Sequence, residues 1–147
     1  MKFREIKENK KQFLSLLLLA DEQEIMIDRY LEKGTMYVLD DNGVKAECVV
    51  TDEGDGILEI KNIATVPEYQ CNGYAKNLID FIVKEYADKY SVLQVGTGDS
   101  PLTVPFYEKC GFVRSHIIPN FFTNNYDHPI FECGVKLTDM VIFQRNL

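Results

Sequence analysis

The chain has 147 residues, which is enough for one domain that buries roughly 68–70% of the surface its unfolded chain exposes. Its 46% apolar content, with nine Phe and eight Tyr, is typical of a globular protein and excludes an intrinsically disordered one. The net charge of −7, without a Lys/Arg cluster, argues against a nucleic-acid partner and mildly favours an amine substrate, although acidity also serves solubility alone.

The first elements predicted are a short strand at Phe3–Ile6 and a helix at Asn9–Ala20. Within that helix, the apolar run Phe13–Ala20 is similar to the core of a signal peptide. Acidic residues dilute its basic leader and follow it directly, without a small-residue cleavage site, so we expect a buried helix. Eight apolar residues are also too few to span a bilayer, which argues against a membrane association.

A second helix is predicted at Glu22–Glu32. Asp21 stands where an N-cap would be, and Glu24 stands at the third helical position, as in a capping box. Gly34 follows the last apolar position, and a glycine there commonly ends a helix by adopting a left-handed conformation. We therefore expect two consecutive helices before the first long strand.

An antiparallel run of strands is predicted next. Strands Met36–Leu39 and Val44–Val50 flank Asn42-Gly43, a dipeptide that favours the positive φ angles of a tight hairpin turn. A glycine-rich turn then leads to the apolar strand Ile57–Val66, which stops at Pro67. These segments therefore predict three neighbouring strands that follow one another along the chain.

The segment after Pro67 predicts a tight turn that opens an amphipathic helix. Gln70–Ala75 starts the helix, and apolar residues then recur at i, i+3, i+4 and i+7 as far as Tyr86. Such a turn leaves several backbone N–H groups unpaired at the positive end of the helix dipole. Gly73 and the small Ala75 would let a phosphate group approach this backbone closely. The residues alone indicate either a phosphate-binding turn or an ordinary turn in which Gly73 only permits the geometry.

The last third of the chain predicts one more helix and three more strands. Its order is strand Val92–Val95, loop Gly96–Pro101, helix Thr103–Cys110, strand Phe112–Ile118, an irregular aromatic-rich segment Pro119–Gly134, and strand Val135–Phe143. No repeat or linker divides the chain, so residues 1–147 form one predicted domain. Antiparallel hairpins followed by a strand–helix–strand crossover predict an α+β fold: a mixed, mostly antiparallel twisted sheet of about seven strands with helices on both faces.

The cysteines and histidines do not form a metal site in the sequence. The cysteines are Cys48, Cys71, Cys110 and Cys133. They contain no C-x-x-C pair and no metal-ligand spacing with His116 or His128, so we expect free thiols in a reducing cytoplasm and no bound metal. Either histidine could act as a base, although a structural role is the simpler interpretation.

Two motifs resemble those of a known family. The segment Ile63–Ala75 resembles the acyl-CoA-binding motif of the GNAT family of N-acetyltransferases, whose core is Gln or Arg, two residues, Gly, one residue, then Gly or Ala. The segment Pro105–Phe112, with a Tyr on a short helix that ends in Gly-Phe, is similar to the family's second signature. The two motifs have the family's usual spacing, and the order of elements matches over nearly the whole chain. The tail Phe121–Phe131 resembles that of a subset of bacterial members.

The resemblance implies the acyl-CoA N-acyltransferase (GNAT) fold and transfer of an acetyl group from acetyl-CoA to a primary amine of a small molecule or peptide. The transfer would be direct, within a ternary complex, in the cytoplasm of a bacterium. It implies no metal, nucleic-acid or membrane partner, and it leaves a homodimer possible. The amine stays open, although Asn124, Tyr126 and Asp127 could shape its pocket. The alternatives are a catalytically silent acyl-CoA-binding sensor and a protein-interaction module on the same fold.

The resemblance also implies which residues hold acetyl-CoA. Backbone N–H groups from Cys71 to Ala75 would cradle the pyrophosphate, with Gln70 bracing the turn. The pantetheine arm would pair with the backbone of Ile63–Val66, where two parallel strands separate, and an N–H near Ile63 or Ala64 would face the developing oxyanion. The expected cofactor-binding residues are Ile63, Ala64, Thr65, Val66, Gln70, Cys71, Asn72, Gly73, Tyr74, Ala75, Ser100 and Phe106.

Two further residues are expected to move protons. Tyr107, in the second motif, would protonate the departing thiolate as a general acid, and the alternative is a tyrosine that only packs in the core. Glu59 would accept the proton of the amine, directly or through water. Strict alternation puts Glu59, Lys61 and Ile63 on one face of the strand, so a Glu59–Lys61 surface pair is the competing interpretation. Ser100 stands where the family often has Asn, so it would hold the cofactor's arm through a different hydrogen bond.

Overall fold

The computed structural model describes all 147 residues of the chain. The strands are β1 (Lys2–Ile6), β2 (Thr35–Asp40), β3 (Val44–Asp52), β4 (Ile57–Thr65), β5 (Val92–Gly98), β6 (Val113–Ile118), β7 (Phe131–Glu132), β8 (Val135–Lys136) and β9 (Met140–Asn146). The helices are α1 (Leu14–Ala20), α2 (Glu24–Ile27), α3 (Tyr74–Tyr86), α4 (Val104–Lys109) and α5 (Phe121–Asn125), with short 3₁₀ helices at Lys10–Phe13 and Pro67–Tyr69.

Seven strands form one sheet in the order β1-β2-β3-β4-β5-β9-β6, and β7 and β8 form a separate two-stranded ribbon. Only β4 and β5 pair in parallel, and every other neighbouring pair is antiparallel. Helix α3 connects the two parallel strands, because such strands need a long crossover between them. The predicted α+β class and the mostly antiparallel sheet of seven strands are confirmed.

Each face of the sheet is covered by helices. On one face α3 buries Leu78, Ile79 and Ile82 completely, as their spacing in the sequence predicts. On the other face α1 and α2 bury Leu17 and Ile27. Each of these side chains stabilises the fold by about 1.5–3 kcal/mol relative to an exposed position. The sheet is therefore held between two apolar layers, and the ends of its strands remain free to form a site.

The first predicted helix is shorter than expected. Asn9 has a φ of 51°, a left-handed conformation that does not continue a helix. A 3₁₀ turn follows, and the α-helix begins only at Leu14. Leu16 and Leu17 still face the core, as the apolar pattern predicts. None of the helices in the fold combines the length and the apolarity needed to span a bilayer.

The second predicted helix is wrong in its length and its cap. Helix α2 ends at Ile27 and gives way to turns instead of continuing to Glu32. Asp21 does not cap it, because its carboxylate accepts hydrogen bonds from the hydroxyls of Tyr30 (2.9 Å) and Tyr126 (2.7 Å). Contacts between distant parts of the chain thus occupy the side chain that a local pattern assigns to a capping box.

The turns after α2 end at Gly34 for a reason other than the predicted one. Gly34 does not adopt a positive φ; instead, a Cβ at this position would lie 2.8 Å from the carbonyl oxygen of Tyr30. The buried ammonium of Lys10 donates to the carbonyl oxygens of Leu31 (2.9 Å), Glu32 (3.3 Å) and Gly34 (2.7 Å). Lys10 therefore satisfies the carbonyl groups that the end of a helical segment leaves unpaired.

The strand predicted at Val135–Phe143 is wrong as a single element. Strand β8 belongs to the ribbon with β7, and β9 belongs to the main sheet. Between them Leu137 donates its N–H to the carbonyl of Ile130 (2.8 Å), and its side chain lies so close to β5 that a Cβ at Gly98 would be 2.6 Å away. The segment predicted to be irregular, Pro119–Gly134, contains α5 and β7.

One carboxyl group is buried without a partner. Glu47, on β3 between its cross-strand neighbours Val38 and Ala64, is 0% exposed, and neither of its side-chain oxygens has a hydrogen-bond partner. Burial raises the pKa of this carboxyl well above its ordinary value, which favours the protonated form. Asn62 on β4 pairs with Val49, two residues along β3 from Glu47, and lies on the same face of the sheet. Its Oδ1 also has no hydrogen-bond partner.

Candidate active site

Strands β4 and β5 separate halfway along their length. They pair only over Ile57–Ile60 and Val92–Val95. Beyond this point β4 continues beside β3, and β5 continues beside β9 as far as Gly98, past the end of the predicted strand. A gap therefore opens between two neighbouring parallel strands of the sheet.

A β-bulge at Lys61 changes which residues of β4 face each side. Ile60 and Asn62 pair with adjacent residues of β3, so Lys61 between them has no cross-strand partner. Ile60 and Ile63 consequently both pack with the core beneath α3, whereas Asn62 and Glu59 face the α1 side. The prediction that strict alternation puts Glu59, Lys61 and Ile63 on one face is wrong, because the bulge adds a residue between them.

The gap leaves one edge of β4 without a neighbouring strand. The N–H of Val66 donates to the carbonyl of Lys45 beside β3 (2.8 Å). Because backbone groups alternate between the two edges of a strand, those of Ile63 and Thr65 point into the gap. The Thr65 carbonyl there accepts only a long bond, 3.4 Å, from Nε2 of Gln70. This edge is open to an extended ligand that adds as a further strand.

The turn before α3 carries a row of free backbone donors. Cys71 (φ 65°) and Gly73 (φ 83°) are both left-handed. The first backbone bond of the helix runs from the N–H of Asn77 to the carbonyl of Gly73, and the N–H groups from Cys71 through Lys76 have no partner in the protein. A Cβ at Gly73 would meet nothing within 4 Å, so the space beside the turn is open at this residue. Together with the dipole of a 13-residue helix, they form a site for an anion.

Side chains around the turn hold it in this shape. The hydroxyl of Tyr74 donates to Asp41 in the β2–β3 hairpin (2.7 Å), which anchors the start of α3 to the neighbouring strands. Nδ2 of Asn72 donates to the carbonyl of Tyr69 (3.0 Å) within the turn itself. The donors are therefore positioned before any anion binds.

A cavity of about 1170 Å³ extends from this turn along the gap between β4 and β5 to the segment of α1 and α2. Both residues expected to be catalytic, Tyr107 and Glu59, line it. Of the residues expected to bind the cofactor, all except Val66, Asn72 and Ser100 line it as well. The structure thus brings two motifs that are separate in the sequence to one continuous cavity.

Tyr107 lies at the base of this cavity. It is 6% exposed, and its ring packs against Phe106, Phe112 and Phe143 with centroid distances of 5.2, 5.7 and 6.2 Å. No protein group hydrogen-bonds its hydroxyl, which opens into the cavity. Burial raises the pKa of Tyr107 above its ordinary value, so the phenol is protonated at neutral pH and can donate a proton.

Glu59 is engaged on both of its oxygens. Oε2 pairs with the ammonium of Lys61 at 2.6 Å, and Oε1 accepts a short hydrogen bond from Gln94 on β5. Gln94 in turn accepts a bond of 2.7 Å from Gln144 on β9, so a polar row crosses three strands. The Glu59–Lys61 pair considered from the sequence is present, and Glu59 lines the cavity at the same time.

Ser100 and Phe106 occupy different environments. Phe106 lines the cavity beside Tyr107. Ser100 is 3% exposed, and its hydroxyl donates to Glu132 (2.9 Å) and accepts the N–H of Leu102 (3.2 Å). A cofactor contact through Ser100 stays a prediction, and it requires the hydroxyl to leave these two partners.

The other end of the cavity, here called the distal compartment, lies between the α1–α2 segment and α5. Its side chains include Asp21, Arg29, Tyr30, Phe121, Phe122 and Tyr126. Tyr126 was the one residue of the three considered for a pocket that lines it, since Asn124 and Asp127 do not. Neither Asp21 nor Tyr30 can be assigned to a pocket from the sequence, because nothing local relates Asp21 to Tyr126, which is 105 residues away.

Four contacts join the two walls of the distal compartment, and we call them the clasp. They are Tyr126 to Asp21 (2.7 Å), Arg29 to Asn125 (3.1 Å), the Asp127 N–H to Gln23 (3.4 Å) and His128 to Glu22 (3.6 Å). His128 also bonds Asp127 at 2.6 Å, and this bond raises the pKa of the imidazole. The clasp therefore connects residues 21–29 with residues 125–128.

The cysteines and histidines form no metal-binding group, although some of them line the cavity. All four cysteines are free thiols; Cys71 and Cys133 are exposed and line the cavity. No group of three or more His, Cys, Asp or Glu side chains is arranged to hold a metal ion. His116 lines the cavity with its Nδ1 bonded to Ser115 at 3.0 Å, whereas His128 belongs to the clasp.

Comparisons with known proteins match this chain to acetyltransferases. The family model described as an acetyltransferase (GNAT) domain matches residues 32–114. An uncharacterized N-acetyltransferase of Bacillus subtilis (strain 168), YvbK, is 34% identical over 137 residues, which cover 91% of this chain and 88% of that protein.

Two solved structures share the whole fold. A GNAT family acetyltransferase from Elizabethkingia anophelis with acetyl-CoA bound has a TM-score of 0.93 and 32% identity, covering 99% of this chain and 97% of that one. A Bacillus subtilis acetyltransferase in complex with CoA has a TM-score of 0.89 and 32% identity, covering 99% and 98%. The separation of β4 and β5 and the turn with free N–H groups agree with these comparisons. The chain belongs to the GNAT family of acetyltransferases.

Proposed function

We propose that this acetyltransferase moves the acetyl group of acetyl-CoA to a primary amine of a small molecule or peptide, by direct attack within a ternary complex. The amine nitrogen bonds to the thioester carbonyl carbon, the C–S bond breaks, the amine loses a proton and the CoA thiolate gains one. The observation that carries the proposal is the row of unpartnered N–H groups from Cys71 to Lys76 beside the open edge of β4. Two similar acetyltransferases bind acetyl-CoA or CoA, which supports the same donor here.

The turn before α3 is proposed to bind the pyrophosphate. Its free N–H groups from Cys71 to Ala75 converge at the positive end of the helix dipole, and Gly73 keeps the approach clear. Gln70 spans the turn toward the carbonyl of Thr65 and braces it. Lys76 extends the row by one more N–H group, which the sequence motif does not include.

The open edge of β4 is proposed to hold the pantetheine arm as an added strand. The backbone groups of Ile63 and Thr65 point into the gap, and those of Ala64 and Val66 point toward β3. The N–H of Ile63 is therefore the better candidate of the two considered for the oxyanion. One preorganised donor of this kind typically lowers the barrier by about 2.7–4 kcal/mol.

Tyr107 is proposed as the general acid. Its protonated hydroxyl opens into the cavity without a competing partner in the protein, so it is free to donate to a departing thiolate. The aromatic packing around its ring fixes the position of that hydroxyl. Phe106, on the same helix, is proposed to contact the acyl end of the cofactor.

Glu59 is proposed as the base, acting through a water molecule. Because Lys61 and Gln94 already occupy its two oxygens, a bridging water fits better than a direct contact with the amine. The competing interpretation is that Glu59 only neutralises Lys61. Location in a bacterial cytoplasm and assembly as a homodimer stay predictions.

The test is a calorimetric titration with acetyl-CoA of two matched variants. In Gly73→Asp the new carboxylate stands where the pyrophosphate would bind, and Asp tolerates the left-handed φ of 83° better than most residues. Gly54→Asp adds the same charge at a φ of 84° in the β3–β4 turn, where a Cβ also meets nothing within 4 Å. We expect Gly73→Asp to weaken binding by about tenfold or more, equivalent to about 1.4 kcal/mol, and Gly54→Asp to bind like the parent. Equal affinity of all three proteins would refute the site.

A further inference from the structure

The distal compartment has an aromatic wall. Phe122 and Tyr126 stack with centroids 5.8 Å apart, and Phe121 packs edge-on against Phe122 at 5.3 Å. All three rings are partly exposed and line the cavity. A flat apolar group placed against them would lose its contact with water and gain contact with ring faces and edges.

The clasp limits what can enter this compartment. Its contacts join chain positions about a hundred residues apart, so the two walls are linked directly across the cavity. An extended polypeptide lying across the compartment would have to break these contacts. We therefore expect a small molecule, which does not have to cross the clasp, to bind without that cost.

Two carboxylates along the cavity are available to a cation. Asp21 and Glu132 both line it, and neither has a cationic partner within 4 Å; their oxygens accept only hydroxyl groups. Arg29, at the distal end, donates to Asn125 in the clasp, so a cation is favoured at Glu132, away from this guanidinium. Glu132 lines the same cavity as Tyr107, the proposed acid, whose hydroxyl is unpartnered and opens into that space. Burial is the main cause of the raised pKa of Tyr107, and the charge of Glu132 contributes to it, so the two side chains lie near one another. An ammonium group drawn to Glu132 would therefore arrive beside the residue that completes the transfer.

We propose that the acceptor is a small primary amine that carries an aromatic ring, bound with its ring against Phe121, Phe122 and Tyr126 and its amino group toward Glu132. This inference rests on the proposed function and adds the substrate class. In the reaction the bound ammonium first loses one proton to the base. Its nitrogen then bonds to the acetyl carbon and the C–S bond breaks. The nitrogen loses a second proton as the amide forms, and the CoA thiolate takes up one proton and leaves as a thiol, so one proton is released to solvent.

The experiment compares phenethylamine with n-butylamine, which has the same charge and no ring, and with a peptide containing one lysine. The acetylated product is measured by chromatography, because the exposed thiols of Cys71 and Cys133 would react with a thiol reagent. We expect kcat/KM for phenethylamine to exceed the other two by about tenfold or more, as burial of a ring predicts.

A pair of variants tests the wall itself. Phe122→Leu keeps an apolar side chain but removes the ring, so kcat/KM should fall severalfold for phenethylamine and change little for n-butylamine. Phe3→Leu makes the same exchange in a pair stacked on Phe81 (4.5 Å) outside the cavity, and should alter neither value. Equal kcat/KM for the two amines, or a preference for the peptide, would overturn the inference. If acetyl-CoA binding is intact in that case, the proposed function still stands. Loss of acetyl-CoA binding in the parent protein would overturn both.

Discussion

Replacing Glu47 with Gln is expected to remove a pH dependence of stability that arises in β3. The folded protein buries this carboxyl, and burial raises its pKa from 4.5, so the folded state holds the proton more tightly than the unfolded chain does. The contribution of Glu47 to the free energy of unfolding is therefore fully present below pH 4.5 and is lost as the pH rises toward the raised pKa. Within that window the free energy of unfolding falls by at most about 1.4 kcal/mol per pH unit.

The assay is urea unfolding at pH 5, 6 and 7, followed by far-UV circular dichroism because the chain has no Trp. Gln has nearly the shape of the protonated carboxyl and does not titrate. The stability of Glu47→Gln relative to the parent should therefore rise with pH, by at most about 1.4 kcal/mol per unit. Glu8→Gln removes an exposed carboxyl and serves as the control, with a pH dependence parallel to that of the parent.

Parallel pH dependences for Glu47→Gln and the parent would refute this reasoning. That result would mean that the carboxyl of Glu47 is hydrated in solution, so that its pKa stays near the ordinary value. A change in the urea m-value, in contrast, would indicate altered compactness of one state rather than a titration effect.

Two kinetic predictions follow from the proposed roles of the cavity residues. Tyr107→Phe should lower kcat by about 10²–10⁴-fold while calorimetry gives an unchanged acetyl-CoA affinity, and a fully active variant would remove Tyr107 from the mechanism. Glu59→Gln should lower kcat far more than Lys61→Met does if Glu59 is the base. Equal losses in the two variants, measured with the same amine, would instead assign both residues to one structural ion pair.

The sequence predicts the strand, the turn and the helix around the proposed cofactor site well, because these elements are local. Between Ile57 and Tyr86 the strand, the turn and the helix follow one another, and each has its own short-range signal: an apolar run, a glycine at a left-handed position and a helical repeat. The same holds for the position of Tyr107 on a short helix ended by Gly111.

The sequence does not predict features that depend on pairing between distant segments. The bulge at Lys61 exists only in the register between β3 and β4, so alternation along one strand gives the wrong face for Ile63. Asp21 stands at the position of a helix cap, but the hydroxyls of Tyr30 and Tyr126 bond its two oxygens instead of a backbone N–H of the helix. Tyr126 lies 105 residues away in the chain. The break at Leu137 likewise depends on its close approach to Gly98.

The clasp has a consequence for the order in which the molecule folds and opens. Its partners are separated by 96 to 106 residues, so closing it requires long loops, whereas the strand–turn–helix around the proposed phosphate site forms from neighbouring residues. Amide protons of α5 should exchange with solvent earlier than those of α3, because local opening of the clasp does not disturb the sheet. Substrate choice would then depend on the part of the protein that unfolds most easily, and substitutions there could change the acceptor over evolutionary time without endangering the rest of the domain.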